Sequence, residues 1–168
     1  MEATVKLYSL SYNQVKTYAF AVLFVIGNIV FPQLCHLVPN GGLTLLPIYF
    51  FTLIAAYKYG LTVGLLTAVL SPLANHLLFG MPPAPVLLSI LIKSSILAIA
   101  AALVANRLGK VSFWGLLTAV LICQFAGTMF EWAIVKDFFV AIQDFRIGIP
   151  GILLQIFGGY AVLRAITH

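Results

Sequence analysis

Apolar residues fall into runs at about 17–38, 43–57, 61–79, 85–105, 113–135 and 150–166, separated by short polar or Gly/Pro-bearing stretches. The runs are continuous rather than alternating, which predicts helices and not the strands of a membrane barrel. Most approach the ~20 residues that a helix needs to cross about 30 Å of hydrocarbon. The second and third runs are joined only by Lys58-Tyr59-Gly60, a link short enough to fold them into an antiparallel hairpin. Pro47 sits near the start of the second run, where proline costs a helix least. The third run ends in Ser71, Asn75 and His76 before Gly80-Met81-Pro82-Pro83 breaks it. Lys136–Ile149 mixes charge with aromatics, and the pattern leaves open whether it extends the fifth helix or lies along the interface.

Composition decides the solvent. Hydrophobic residues make up 62% of the 168, charged ones 8%, and the mean hydropathy is +1.11. A soluble domain carries about a quarter charged residues, so this chain lacks the means to cover a water-facing surface. It is expected to be an all-α integral membrane protein, a single domain over 1–168. The net charge of +5 is scattered between the apolar runs, which suits anionic lipid headgroups and not nucleic acid. Cys35 and Cys123 lie inside apolar runs without metal-ligand spacing, so neither a disulfide framework nor a metal site is expected. Residues 1–16 are polar and aromatic, and no cleavable signal pattern is read in them. The first run is therefore read as a retained helix.

Six crossings would place both termini on one side. With the termini cytoplasmic, the inner segments hold Lys6, Lys16, Lys58, Arg107, Lys110 and Arg164, and the outer ones only Lys136 and Arg146. That asymmetry follows the positive-inside rule.

In this orientation polar side chains gather in the outer half. Lys93 lies about 12 Å below the start of the fourth helix at 1.5 Å per residue. Glu131 and Trp132 are near the outer end of the fifth helix, and Gln155 lies early in the sixth. Asn75 and His76 end the third, and Gln33 and His36 end the first. A lysine or carboxylate at membrane depth costs on the order of 2.5–3.5 kcal/mol, so it usually faces a cavity or a partner. Lys93 and Glu131 either pair with each other, holding two helices together, or contact a ligand. His36 and His76 suit interfacial bonds to loops as well as a site, Trp132 suits an interfacial belt as well as a stacking platform, and Gln155 suits an interhelical hydrogen bond as well as ligand contact. Asn28, after Gly27 in mid-helix, is expected to bond a neighbouring helix. The small residues Ala98, Ala101, Ala102 and Ala105 read as a close-packing face, within the protein or against a partner.

No HExxH, GxSxG or P-loop motif occurs, and no carboxylate cluster could hold magnesium. The chain is therefore expected not to be an enzyme and not to hydrolyse ATP, with no catalytic residues and no cofactor or metal of its own.

Three local patterns carry a resemblance: Gly41-Gly42-Leu43-Thr44-Leu45-Leu46-Pro47, Tyr57-Lys58-Tyr59-Gly60 followed by Gly64, and Ile149-Pro150-Gly151-Ile152-Leu153-Leu154-Gln155. With the length, six helices and inside termini, they make the chain resemble the S components of energy-coupling factor (ECF) transporters. The resemblance implies a bundle of that type in a prokaryotic plasma (inner) membrane. It also implies a pocket for a vitamin-like micronutrient in the outer half, and a coupling protein with two cytoplasmic ATPases, which would use the ATP. In many members an alanine-x-x-x-alanine pattern on the first helix docks the coupling protein. Here that spacing occurs at Ala98/Ala102 and Ala101/Ala105 on the fourth, making those the docking candidates. A scaffold subunit of a cell-envelope assembly, similar to rod-shape membrane proteins, and an enzyme acting on lipids are the alternative readings.

Overall fold

The computed structural model describes residues 7–167, all helix, turn or irregular chain with no strand among them. Its helices are α1 (Val15–Cys35), α2 (Gly41–Leu45), α3 (Phe50–Tyr59), α4 (Leu61–Phe79), α5 (Ala84–Leu108), α6 (Phe113–Val135), α7 (Phe138–Ala141), α8 (Gln143–Arg146), α9 (Ile149–Leu153) and α10 (Gly159–Ala165). Four of them, α1, α4, α5 and α6, are long and apolar enough to cross a membrane.

The third and fifth predicted runs match α4 and α6 to the residue, and α1 and α5 shift by one to three residues from their expected bounds. The other two runs are broken. The second is divided by Leu46, held at φ 46°, with a single 3-10 turn at Pro47–Tyr49 leading into α3. The cause is local: a residue before proline is driven out of the right-handed helical region, and Pro47 has no N–H with which to continue a helix. The sixth run passes through a π-helical turn, Leu154–Gly158, between α9 and α10. Lys136–Ile149, left open by the pattern, folds into α7 and α8.

Hydrogen bonds identify the two ends of the bundle. At one end the Tyr8 and Leu10 amides donate to the carbonyls of Lys58 and Tyr59, satisfying the last turn of α3. The Lys58 ammonium donates to the Ile166 carbonyl, and the Tyr57 hydroxyl donates to the Lys110 carbonyl at 3.0 Å. The amino-terminal segment, the α3–α4 turn, the α5–α6 loop and the carboxy-terminal turn thus meet there. At the other end the α1–α2 loop and the 81–82 stretch line one cavity, and Gly151 of α9 packs on the Leu45 carbonyl. Lys6, assigned to the first of these ends from sequence, lies outside the described residues.

The bundle is apolar outside and polar at several points within. Val22, Ile26 and Val30 of α1, and Phe125 and Met129 of α6, are exposed, while Asn28, Thr52, Lys93, Gln124 and Gln155 are buried. Where α3 and α4 cross, Gly64 lets the helices close. A Cβ there would stand 2.4 Å from the Ala56 Cβ.

Asn28 joins three helices, as its position suggested. Its Nδ2 donates to Thr52 Oγ1 and Ser71 Oγ, each at 3.1 Å, and its Oδ1 accepts the Phe51 N–H in the first turn of α3. Pro32 removes the N–H that would otherwise reach the Asn28 carbonyl one turn earlier. Asn75 Nδ2 takes that place, donating to the Asn28 carbonyl at 2.8 Å. A freed carbonyl in a nonaqueous surround needs such a partner.

Asn75 and Pro32 should therefore be energetically coupled. Asn75→Ala is expected to lower stability by about 1–3 kcal/mol. In a Pro32→Ala background it should cost measurably less, because residue 32 again supplies the N–H. Unfolding midpoints of the two singles and the double measure this coupling. An unchanged cost in the double would contradict it.

A candidate ligand site around a shared lysine

The chain places a lysine on α5, a glutamate on α6 and an aspartate on α8 against one another. The Lys93 ammonium pairs with the Glu131 carboxylate and also with Asp144, whose Oδ2 is 2.8 Å from Nζ. Lys93 is 4% exposed and Asp144 9%. Lys93 and Glu131, singled out from sequence, do meet. Asp144 is an additional partner that sequence reasoning missed.

Several local features hold this arrangement. Gly127 on α6 gives the lysine its path, since a Cβ there would be 2.7 Å from Lys93 Cγ. The Cys123 thiol, one turn earlier on α6, donates to the Lys93 carbonyl of α5 at 3.3 Å. Beyond α6, Asp137 caps α7 by accepting the amides of Phe139 and Val140. Ala141 is fully buried, and Phe145 packs on Phe125 with ring centroids 5.5 Å apart. These contacts fold α7 and α8 back so that Asp144 reaches the lysine. Trp132 is about half-exposed and meets Phe138 edge-to-face at 5.4 Å. It thus braces the segment that carries Asp144.

Buried polar atoms without a hydrogen-bond partner lie on the same helices. Ser89 is one turn from Lys93 on α5, and Gln124 and Thr128 share the α6 face of Glu131 at helical spacing. Gln124 is 2% exposed and leaves Oε1 free, and Ser89 is 3% exposed and leaves Oγ free. Gln155, in the π turn, is 1% exposed with Nε2 free. π turns inside helices often occur at functional positions. The buried phenol of Tyr49 lies within electrostatic reach of Asp144 and Glu131.

The remaining predicted residues lie elsewhere. A cavity of about 320 Å³ is lined by His36, Asn40, Pro47, Asn75 and Ile90 among others, and Asn75 Oδ1 is without a partner. That volume is at the small end of ligand pockets. Lys93, Glu131 and Asp144 are not among its lining residues, although Ile90 adjoins Ser89 and Ile48 adjoins Tyr49. His76 Nδ1 is 2.7 Å from the Pro82 carbonyl, so this ring fastens the α4–α5 loop. Gln33 is half-buried on α1 and is not among the hydrogen-bond or ion-pair partners of Lys93.

Of the two readings open for the α5 alanines, their burial fits close packing within the protein. Ala98 and Ala101 are 0% exposed, and Ala102 and Ala105 are 2% exposed. They pack inside the bundle against neighbouring helices and present no surface to another protein.

Among the described residues no group of three or more His, Cys, Asp or Glu side chains could hold a metal ion. Compared with family models, with curated proteins and with solved structures, the chain matches none.

The cluster makes an unequal set of stability predictions. Removing the lysine strands two buried carboxylates, and breaking such a pair costs about 3–5 kcal/mol. Lys93→Met should therefore be strongly destabilising. Glu131→Gln or Asp144→Asn leaves an electroneutral pair and should cost far less. Thermal unfolding in detergent reads the ranking, and the triple neutral variant should recover most of the Lys93→Met loss. Equal costs for all three singles would contradict the shared-lysine geometry.

Proposed function

We propose that this chain is the substrate-capture subunit of an ECF-type importer, with its ligand bound among Lys93, Glu131, Asp144 and the neighbouring amides. The observation that carries the reading is the buried, hydrogen-bond-deficient polar cluster inside an otherwise apolar bundle. A membrane protein that needed only to pack would gain by replacing these groups with hydrocarbon of similar volume. Intramembrane ionisable groups are rare and characteristically mark substrate or ion pathways. The resemblance of the Gly41–Pro47, Tyr57–Gly64 and Ile149–Gln155 stretches to the S components supports the same reading.

In this proposal the chain crosses the membrane six times. Four crossings are α1, α4, α5 and α6, and the broken runs 47–59 and 149–165 supply the other two. Lys58, Arg107, Lys110 and Arg164 then face the cytoplasm of a prokaryotic cell with both termini, and the site lies in the outer half. The outer 320 Å³ cavity, capped by the α1–α2 and α4–α5 loops, is the approach for a small water-soluble nutrient. Energy for release inward comes from partners: a transmembrane coupling protein and two ATPases that hydrolyse ATP. The coupling protein docks on a lipid-facing surface, since the α5 alanines are occupied within the bundle.

Two experiments test this reading. Cysteine placed at the exposed positions Asn40 or Met81 should react in intact cells with an impermeant thiol reagent, and cysteine at Asn106 should not; the reverse pattern would overturn the orientation. The purified chain in liposomes should retain its small molecule without concentrating it, and uptake should require the coupling protein and ATPases. Concentrative uptake by the chain alone under an ion gradient would make it a secondary transporter instead.

A further inference from the structure

The charges in the cluster do not balance. One ammonium faces two carboxylates, and the nearest other cation by sequence, Arg146, is exposed with its guanidinium over the Phe139 ring at 5.9 Å. A formal excess of one negative charge is therefore buried with nothing among the described residues to offset it. One unpartnered atom on the same helices is a pure acceptor: the Gln124 oxygen has no donor. Gln155 Nε2 is a free amide donor, and the Ser89, Ser94 and Thr128 hydroxyls can donate as well as accept. Lys93, the residue best suited to an anion, already has both carboxylates on its ammonium.

We propose that the site takes a small organic cation, a molecule with a protonated amine, amidine or guanidine, held by Glu131 and Asp144. This deepens the substrate-capture reading and rests on it. The N–H donors of such a ligand fill the carboxylate lone pairs that Lys93 leaves open and reach the Gln124 oxygen. Its charge makes the cluster neutral, removing the cost of a lone charge at depth. Gln155 has room in this scheme for one acceptor elsewhere on the ligand. An anionic ligand would instead double the uncompensated charge.

The test is thermal stabilisation of the purified full chain in detergent. The probes are benzamidine, agmatine and tyramine, set against neutral benzamide, anionic benzoate and sodium chloride. The organic cations should raise the unfolding temperature in a saturable way, and benzamide and benzoate should not. Glu131→Gln, which keeps an electroneutral Lys93–Asp144 pair and hence the fold, should raise the half-maximal concentration about tenfold or more, as expected for loss of a charge-assisted contact. Lys93→Met, where it folds, should leave or strengthen cation binding, whereas it would abolish binding of an anion. Stabilisation by benzoate or benzamide in preference to the cations overturns the charge assignment and leaves the capture reading standing. Stabilisation by sodium alone overturns the organic-cation assignment in favour of an ion site. If no probe stabilises and the purified protein also retains no small molecule, the capture reading falls together with the cation assignment.

Discussion

A single ammonium shared between two carboxylates in an apolar bundle is the constraint around which this protein is arranged. Lys93 must reach across from α5, so α6 carries glycine at 127 where the lysine passes. Its second carboxylate comes from beyond the end of α6, so the chain there folds back through two short helices. Asp137 caps the first of them, and Ala141 and Phe145 anchor the segment. None of these features serves packing alone. A bundle of this size would pack more simply with leucine at 93 and an open loop after α6, because buried ion clusters are weak sources of stability.

Elsewhere the bundle satisfies freed backbone groups with side chains in place of water. Pro32 leaves the Asn28 carbonyl without its helical partner, and Asn75 supplies the missing donor. Asn28 in turn serves the first turn of α3 and two hydroxyls. This network is closed except for one oxygen of Asn75, which borders the 320 Å³ cavity. The contrast with the lysine cluster is informative. The Asn28–Asn75 network leaves one atom open, whereas Ser89, Ser94, Gln124 and Thr128, on the two helices that carry Lys93 and Glu131, each leave one.

Much of the helical framework was legible from residue pattern. Gly60 and Gly80 bound α4, and Ser112 and Lys136 flank α6, so both were located to the residue. Pro47 was recognised near the start of its run, but not the left-handed conformation of Leu46 before it. The π turn at 154–158, which contains Gln155, has no sequence signature of its own. Lys93 and Glu131 stood out because charge inside an apolar run is conspicuous. Asp144 did not, because it lies in a stretch already rich in charge and its partner is 51 residues away. Only the fold-back brings it in. The alanine spacing on α5 was visible, but spacing alone does not say which face is already covered, and here the bundle covers it.

The central claim is that the open polar cluster exists to hold a ligand. Native mass spectrometry of the protein purified gently from its host membrane, beside the Glu131→Gln/Asp144→Asn variant, tests it most directly. The expected result is a discrete small-molecule adduct on the native chain, carrying a basic nitrogen, that is absent or strongly reduced in the variant. An adduct retained equally by both would contradict the placement of the site at Lys93, and a native chain with no adduct in a folded, monodisperse preparation would contradict the claim itself.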